Sequence, residues 1–318
     1  MNAAAKLAEN SPSPYDSKPT LKAIRKPKLG ETKLGQKEKA ISENDHVILF
    51  GENGFEGAIK ELTKIHNTGE TKRVILLSPF FKKIGLDETQ GSIGDYGQFS
   101  FTMRPRRNMG NGWIGRSLDL LFAVPFCLLW LPFHLLLMPF VRKSTAGTGV
   151  YESERIGLGE KPFKMFKYRT MRAGTDDDVH RAYLKTLYDD QTKSALDDSE
   201  DVLKLTDDPR VTPLGALLRK FSIDEIAQLW NVIKGNMSLI GPRPCIEYEL
   251  DCMEGWQKNR FKVTPGISGM WQVYGRCVCS IEQSHFLDNL FYFASGPRLY
   301  LQLALKTPMK VLSGSGAV

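Results

Sequence analysis

An aspartate and a glutamate stand side by side at the start of a predicted helix. Asp224 and Glu225 follow Ser222, and Ser222 with Glu225 three residues later has the spacing of a capping box. The pair therefore has a purely structural explanation. The position also suits chemistry, because the free N–H groups at a helix N-terminus bind phosphate and keep a carboxylate ionised. An ionised aspartate can attack phosphorus, and a neighbouring glutamate can hold a divalent cation.

Three arginines could neutralise a phosphate near this pair. Arg219 precedes Asp224 by five residues. Arg243 lies in a rigid Gly-Pro-Arg-Pro turn that sets the direction of its planar guanidinium, and Arg276 follows a glycine. Arginines in such turns are often structural, but three of them together with an Asp-Glu pair indicate a diphosphate site.

The elements that position these residues follow from apolar periodicity. Residues 219–233 are predicted to form one amphipathic helix, because apolar residues recur at steps of three or four. Residues 163–172 alternate like a strand and carry basic side chains, including Lys167 and Arg169. The acidic residues 175–208 are predicted to be solvated surface, and the fold class is α+β.

One long apolar segment covers residues 118–141 and contains a single acid, Asp119. It exceeds the roughly 20 apolar residues that a bilayer span needs. However, three prolines interrupt it, namely Pro125, Pro132 and Pro139. Basic residues also flank both ends, whereas a spanning helix keeps its positive charge on one side. These features favour a re-entrant or interfacial helix that bends near Pro132, with a spanning helix and a core helix as alternatives.

Four regions are predicted along the chain. Residues 1–45 form a disordered basic tail, with nine Lys or Arg against four acids, which is +5 of the net charge of +7. Residues 46–100 form a small βαβ module whose glycines do not match a dinucleotide fingerprint. Residues 101–145 hold a linker, placed over residues 86–112, and the membrane helix. Residues 146–318 form the catalytic domain.

Composition excludes several function classes. The mean hydropathy of −0.28 excludes a protein with many membrane spans. Five cysteines without a CxxC pair indicate neither a disulfide framework nor a zinc site. No apolar segment follows the first lysine, so no secretory signal peptide is expected. Nucleic-acid binding would rest on the basic tail alone, without a recognition motif, and no nucleic-acid partner is expected.

Several short motifs follow one another in a fixed order between Arg116 and the C-terminus. They are Arg116-x-x-Asp119 before Pro132, Arg155-x-Gly157, Lys167-Tyr168-Arg169-Thr170-Met171, Asp208-Pro209-Arg210-Val211-Thr212, Leu218-Arg219-Lys220-x-Ser222-x-Asp224-Glu225, Asn231-Val232-x-Lys234-Gly235-x-Met237-Ser238, Gly241-Pro242-Arg243-Pro244, Pro265-Gly266-Ile267-Ser268-Gly269 and Gly275-Arg276. With them the sequence resembles the bacterial sugar transferases of the monotopic phosphoglycosyltransferase family. Each motif is weak alone, but the ordered set is specific.

The resemblance implies a reaction and a location. Such enzymes move a sugar 1-phosphate from a nucleotide diphosphate sugar, usually a UDP-sugar, onto a polyprenol phosphate such as undecaprenyl phosphate. They release the nucleoside monophosphate, UMP for a UDP-sugar, and the product starts a polysaccharide or glycan. They work at the bacterial inner membrane with the catalytic domain facing the cytoplasm, and downstream glycosyltransferases are possible partners.

The resemblance also implies residue roles and a cofactor. The family uses an aspartyl-phosphosugar intermediate with Mg²⁺, so Asp224 would be the nucleophile and Glu225, with Asp224 as a second ligand, would hold the metal. The phosphate-binding candidates are Arg219, Arg243, Arg276, Lys167 and Arg169. Arg116, Asp119 and Pro132 would belong to the membrane anchor. The alternative is an inactive membrane scaffold for a polysaccharide assembly complex, which the retained Asp-Glu pair argues against.

Overall fold

The computed structural model of the protein describes residues 22–24, 45–51, 54–86, 92–93, 95–103, 112–173, 210–275 and 279–312. The chain divides into two compact units, Met1–Arg107 and Asn108–Val318. The strands are β1 Lys22–Ile24, β2 His46–Leu49, β3 Lys72–Ser78, β4 Ser92–Ile93, β5 Tyr96–Met103, β6 Val150–Ile156, β7 Pro162–Tyr168, β8 Ser238–Ile240 and β9 Gly266–Ser268. The α-helices are α1 Phe55–Asn67, α2 Pro79–Lys83, α3 Trp113–Thr145, α4 Pro213–Lys220, α5 Leu229–Lys234, α6 Glu247–Asp251, α7 Ile281–Ala294 and α8 Pro297–Leu312. Short 3₁₀ or π-helical segments cover Leu158–Glu160, Ile223–Gln228, Gly255–Lys262 and Trp271–Gly275.

The first unit is built on a sheet with the strand order β1-β2-β3-β5-β4. Strands β2 and β3 are parallel, and α1 connects them. Four buried aromatic rings pack against one another edge to face or tilted, namely Phe50, Phe55, Phe80 and Phe81. This unit therefore has a hydrophobic core of its own.

The structure differs from the sequence analysis at two places in the first unit. The segment 86–112, predicted to be a linker, contains β5, whose residues from Gly97 to Met103 pair antiparallel with the whole of β3. Phe99 and Met103 of β5 are buried, so the gain from covering apolar side chains outweighed the glycines and arginines around them. The tail predicted to be disordered contains β1, which pairs with β2. The other residues of 1–44 lie outside the described residues.

The second unit combines two small sheets with one long helix. Strands β6 and β7 form an antiparallel hairpin, whereas β8 and β9 are parallel. One stripe of α3 is buried or half-buried against the rest of this unit, at positions three or four residues apart: Arg116, Asp119, Ala123, Cys127, Trp130, His134, Met138, Val141 and Thr145. Such spacing places all of these side chains on one helix face.

The contacts of this stripe extend along α3. Ala123 packs in a cluster with Leu229, Val232 and other apolar residues. Further along, the indole of Trp130 donates to the Tyr168 hydroxyl over 3.0 Å. Near the C-terminal end of α3, Val141 packs with Tyr168 and Leu218, so the contacts cover most of the helix.

The opposite face of α3 is apolar and exposed. It carries Leu121, Phe122, Phe126, Leu128, Leu129, Phe133, Leu135, Leu136 and Phe140. Among the described residues α3 is the one helix long and apolar enough to cross a membrane, and 6% of its apolar window is buried. The alternative of a core helix is therefore wrong. The predicted mixed α+β fold with a long apolar helix is confirmed, while the bend near Pro132 stays a prediction.

Candidate active site

The segment that carries the Asp-Glu pair is a broken helix. Residues 219–233 were predicted to form one helix, but α4 ends at Lys220 and Ser222 adopts a left-handed conformation with φ of 52°. The Ser222 side chain makes no capping hydrogen bond, so the predicted capping box is wrong. A 3₁₀ segment and then α5 follow. A left-handed residue other than glycine carries strain, and such strain is common at functional sites.

This break places the two acids differently. Asp224 is buried with 9% of its surface exposed. Glu225 is only half-buried, and one of its carboxylate oxygens accepts from the Lys167 ammonium over 3.0 Å. The structure therefore brings two predicted site residues together, with the lysine charge beside the glutamate.

A fully buried asparagine sets this arrangement. Asn231 of α5 accepts from the Phe166 N–H over 2.9 Å and donates to the Lys164 carbonyl over 2.6 Å. Both partners lie on β7, so the asparagine side chain takes the place of a neighbouring strand in the backbone pairing. Because β7 also carries Lys167, this clamp aligns the lysine with Glu225.

Arg219 and Arg169 point to different partners. Arg219 donates from Nε to the Thr170 hydroxyl over 3.0 Å, immediately beyond β7. Arg169 donates to the carbonyl and hydroxyl of Thr148, each over 2.9 Å, and its guanidinium lies 5.4 Å from the centre of the Tyr151 ring. Arg219 therefore contacts the end of β7, the strand that carries Lys167. Arg169 instead contacts residues on the β6 side of the hairpin.

Arg243 lines a pocket in the second unit. Its guanidinium lies 5.6 Å from the centre of the Trp271 ring. The pocket is lined by Arg243, Glu249, Arg260, Trp271, Ile281, Ser284, His285 and Asp288, and neither acid of the Asp-Glu pair is among these described residues. Arg276 lies outside the described residues, so its predicted role stays a prediction.

Several polar residues near Arg243 were missed by the sequence analysis. Burial and then the charge of Arg243 lower the pKa of Arg155. The pocket also holds a buried ion pair between Arg260 and Asp288, with 2.6 Å between Nη2 and Oδ2. The sequence offered one signal for this cluster. His285 and Asp288 are three residues apart in a helix, and this spacing puts both side chains on one helix face.

Two predicted anchor residues of α3 bind it to the rest of the second unit. Arg116 donates to the Val232 and Ile233 carbonyls at the end of α5, where a cation is favourable. Asp119 accepts from the Ser238 hydroxyl and the Leu239 N–H, over 2.9 and 2.8 Å. Pro132 lies in the middle of α3 and is exposed.

Comparison with known proteins identifies the family. A profile described as bacterial sugar transferase matches residues 110–314, which is more than half of the chain and includes every predicted site residue. The chain belongs to this family.

Three relatives illustrate the range of similarity of this sugar transferase. The exopolysaccharide production protein ExoY of Sinorhizobium fredii is 38% identical over 179 residues, which cover 55% of this chain and 76% of that protein. The UDP-galactose-lipid carrier transferase of Erwinia amylovora is 36% identical over 207 residues, covering 64% of this chain and 42% of that protein. The undecaprenyl-phosphate galactose phosphotransferase of Salmonella typhimurium is 28% identical over 264 residues, covering 81% and 52%. The chain thus spans about half the length of the last two relatives or less.

The two acids of the Asp-Glu pair have the ligand chemistry that a magnesium ion needs. No group of three or more His, Cys, Asp or Glu side chains comes together within the ranges that the structure describes. Mg²⁺ is commonly bound by one or two carboxylates, with substrate phosphates and water completing the octahedron. Asp224 and Glu225 supply two carboxylates, so their chemistry matches a site that is completed by a diphosphate.

Proposed function

We propose that this sugar transferase moves a sugar 1-phosphate from a UDP-sugar onto undecaprenyl phosphate or a similar polyprenol phosphate. The observation that carries the proposal is the buried Asp224 next to a glutamate that is paired with Lys167. The names of the Erwinia and Salmonella relatives describe a lipid carrier and a phosphotransferase, which supports the same chemistry. The product would start a polysaccharide, as the name of the ExoY relative suggests.

The reaction has two displacements at one phosphorus atom. In the first, an Asp224 carboxylate oxygen bonds to the β-phosphorus of the donor, the bond to the bridging oxygen breaks, and UMP leaves with that oxygen. In the second, a phosphate oxygen of the lipid bonds to the same phosphorus, and the bond to the aspartate breaks. The carboxylate is thereby regenerated, and the lipid carries a diphosphate sugar.

The basic residues around the acids stabilise the charge of the donor. Arg219 lies beside Thr170, just after β7, and can turn its remaining N–H groups to a phosphate. Lys167 holds Glu225 in place, and the planar guanidinium of Arg243 suits the second phosphate. Mg²⁺, held by Glu225 and by Asp224 as a second ligand, would supply neutralising charge at the diphosphate.

A direct assay tests the proposed function. Full-length protein in detergent is incubated with Mg²⁺, undecaprenyl phosphate and a panel of UDP-sugars, and UMP release is measured. Turnover with one sugar supports the proposal and names the substrate. Silence across a broad panel contradicts it and favours the inactive scaffold.

Replacement of the glutamate tests the metal site. In Glu225→Gln one charged ligand is lost, so we expect kcat to fall about 10²-fold and the Mg²⁺ concentration for half-maximal rate to rise about tenfold. A titration of UMP release with MgCl₂ after treatment with EDTA measures both. Glu247→Gln, which changes an exposed glutamate on α6, is the matched control and should behave as the wild type. An unchanged Mg²⁺ requirement in Glu225→Gln would argue against a role in metal binding.

We also propose that α3 lies in one leaflet of the bacterial inner membrane with the catalytic unit on the cytoplasmic side. Arg116 and Val141, near the two ends of α3, both contact the second unit. A straight helix between them would be about 37 Å long, more than the roughly 30 Å hydrocarbon core. A spanning helix would pull this polar unit into the bilayer, whereas an interfacial helix leaves it in water.

Cysteine labelling tests this placement. We expect Ser117→Cys and Lys143→Cys, both exposed near the ends of α3, to react with a membrane-impermeant maleimide from the same side. The exposed Asp251→Cys marks the side of the globular part, and the labelling of the unmodified chain gives the background. Labelling of the two α3 positions from opposite sides would establish a spanning helix instead.

A further inference from the structure

The main chain of Arg243 is held by a buried ion pair. Nη2 of Arg260 donates to the Arg243 carbonyl over 2.6 Å and to Oδ2 of Asp288 over 2.6 Å. The Arg260 guanidinium therefore joins the main chain of Arg243 to Asp288, although the members of the pair come from the Gly255–Lys262 segment and from α7.

A histidine completes this cluster without adding charge. Nη1 of Arg260 lies 2.7 Å from Nδ1 of His285. A guanidinium can only donate, so this ring nitrogen accepts and carries no proton. Burial and then the charges of Arg260 and Arg243 hold the pKa of His285 well below its ordinary value. The histidine is thus neutral and directs the guanidinium rather than competing with it.

The ion pair is an expensive way to stabilise a fold. The side chains of Arg260 and Asp288 are 6% and 3% exposed. Burial raises the pKa of Asp288 to about 6, against the opposing effect of Arg260, so the carboxylate is ionised at neutral pH. Apolar side chains of similar volume would often stabilise a core equally well. A buried pair of this kind therefore indicates a role in positioning a neighbouring group.

The pair acts on a residue with little other freedom. Arg243 lies between two prolines, whose rings limit the backbone on both sides. Because Arg260 also holds its carbonyl, the direction in which its side chain leaves the turn is restricted further. That side chain lies over Trp271 at the pocket.

We propose that Asp288 and Arg260 are positioning residues that aim the Arg243 guanidinium at a donor phosphate. The proposal rests on the proposed function, which makes Arg243 a ligand of the UDP-sugar. Neither positioning residue needs to touch the donor. Replacing Asp288 or Arg260 should therefore have no effect on donor binding once Arg243 no longer presents a planar guanidinium.

A double-mutant cycle tests this dependence in the full-length protein. The variants are Asp288→Asn, Arg243→Lys and the double variant, and the readouts are kcat and KM for the UDP-sugar and the Kd for UDP by calorimetry. We expect each single variant to raise KM and Kd about tenfold, with kcat within about threefold of wild type. The double variant should also lie about tenfold above wild type, since residues that act through each other are not additive.

The outcomes separate this inference from the proposed function. An additive double variant, about 100-fold above wild type, or an Asp288→Asn variant with wild-type KM and Kd would overturn it. If Asp288→Asn does not fold, Arg260→Lys replaces it, because an ammonium keeps the charge but cannot reach three acceptors as a planar fork does. Asp45→Asn breaks a comparable pair with Arg73 in the first unit and should leave both readouts unchanged. Absence of turnover in the wild type would contradict the proposed function. The double-mutant cycle measured with the Kd for UDP would still decide the positioning role.

Discussion

Replacing Asp224 by asparagine should abolish UMP release, with a loss of at least about 10³-fold in kcat. The amide has nearly the same shape as the carboxylate but is a far poorer nucleophile towards phosphorus. Because Asp224 is buried, an isosteric change is preferable to truncation. The measurement is single-turnover UMP release from the UDP-sugar, with intact-protein mass spectrometry to detect the phosphosugar adduct.

The intermediate gives this prediction a second arm. Without the lipid acceptor, the wild type should release about one UMP per enzyme and gain the mass of a sugar phosphate, whereas Asp224→Asn should do neither. Asp251→Asn removes an exposed aspartate of the same unit and should match the wild type in both respects. Lipid loading by Asp224→Asn at an undiminished rate would exclude the covalent mechanism.

Truncating Asp119 to alanine should destabilise the second unit by about 3 to 5 kcal/mol. One carboxylate oxygen accepts from the Ser238 hydroxyl, the Leu239 N–H and the Tyr300 hydroxyl, and the side chain is almost fully buried. Burial, then the charge of Asp119, raise the pKa of Tyr300, so its hydroxyl keeps the proton that it donates. Alanine removes the acceptor that these three donors share and loosens α3 from β8 and α8 together.

Thermal unfolding of the full-length protein in detergent measures this loss. For a unit of this size, 1 kcal/mol corresponds to roughly 2 to 4 °C, so Asp119→Ala should lower Tm by about 10 °C. Asp119→Asn retains a carbonyl oxygen for the three donors and should lose clearly less. If alanine and asparagine both melt within 2 °C of wild type, about the effect of 1 kcal/mol or less, the network does not hold the helix to the unit.

Local features of the sequence were enough to predict the family, the Asp-Glu pair and the apolar helix. The ordered motifs depend only on residue type and spacing, and the family profile matches the same stretch. The exposed apolar face of α3 likewise follows from composition. The segment has no polar stripe that could face water, so an apolar face is exposed whichever side packs against the protein. The pair of Lys167 with Glu225 joins residues 58 positions apart, which no local pattern can indicate.

The break at Ser222 shows what periodicity leaves open. The apolar steps of residues 219–233 fit one continuous helix, and no glycine or proline marks an interruption. The clamp from Asn231 to β7 and the packing of Ile223 and Ile226 against the Val141, Tyr168 and Leu218 cluster hold the segment in its broken form. Tertiary contacts therefore overrode a helical preference of a few tenths of a kcal/mol per residue.

The sequence by itself determined the chemical groups and the apolar surface of this protein, because side-chain chemistry and hydrophobicity are properties of each residue and its neighbours. Only the tertiary structure decided which groups meet: the lysine beside Glu225, the three donors around Asp119 and the ion pair behind Arg243. Each of these is a directional contact of about 3 Å between distant parts of the chain. Such contacts form only after burial has brought the segments together, so their partners cannot be read from spacing along the chain.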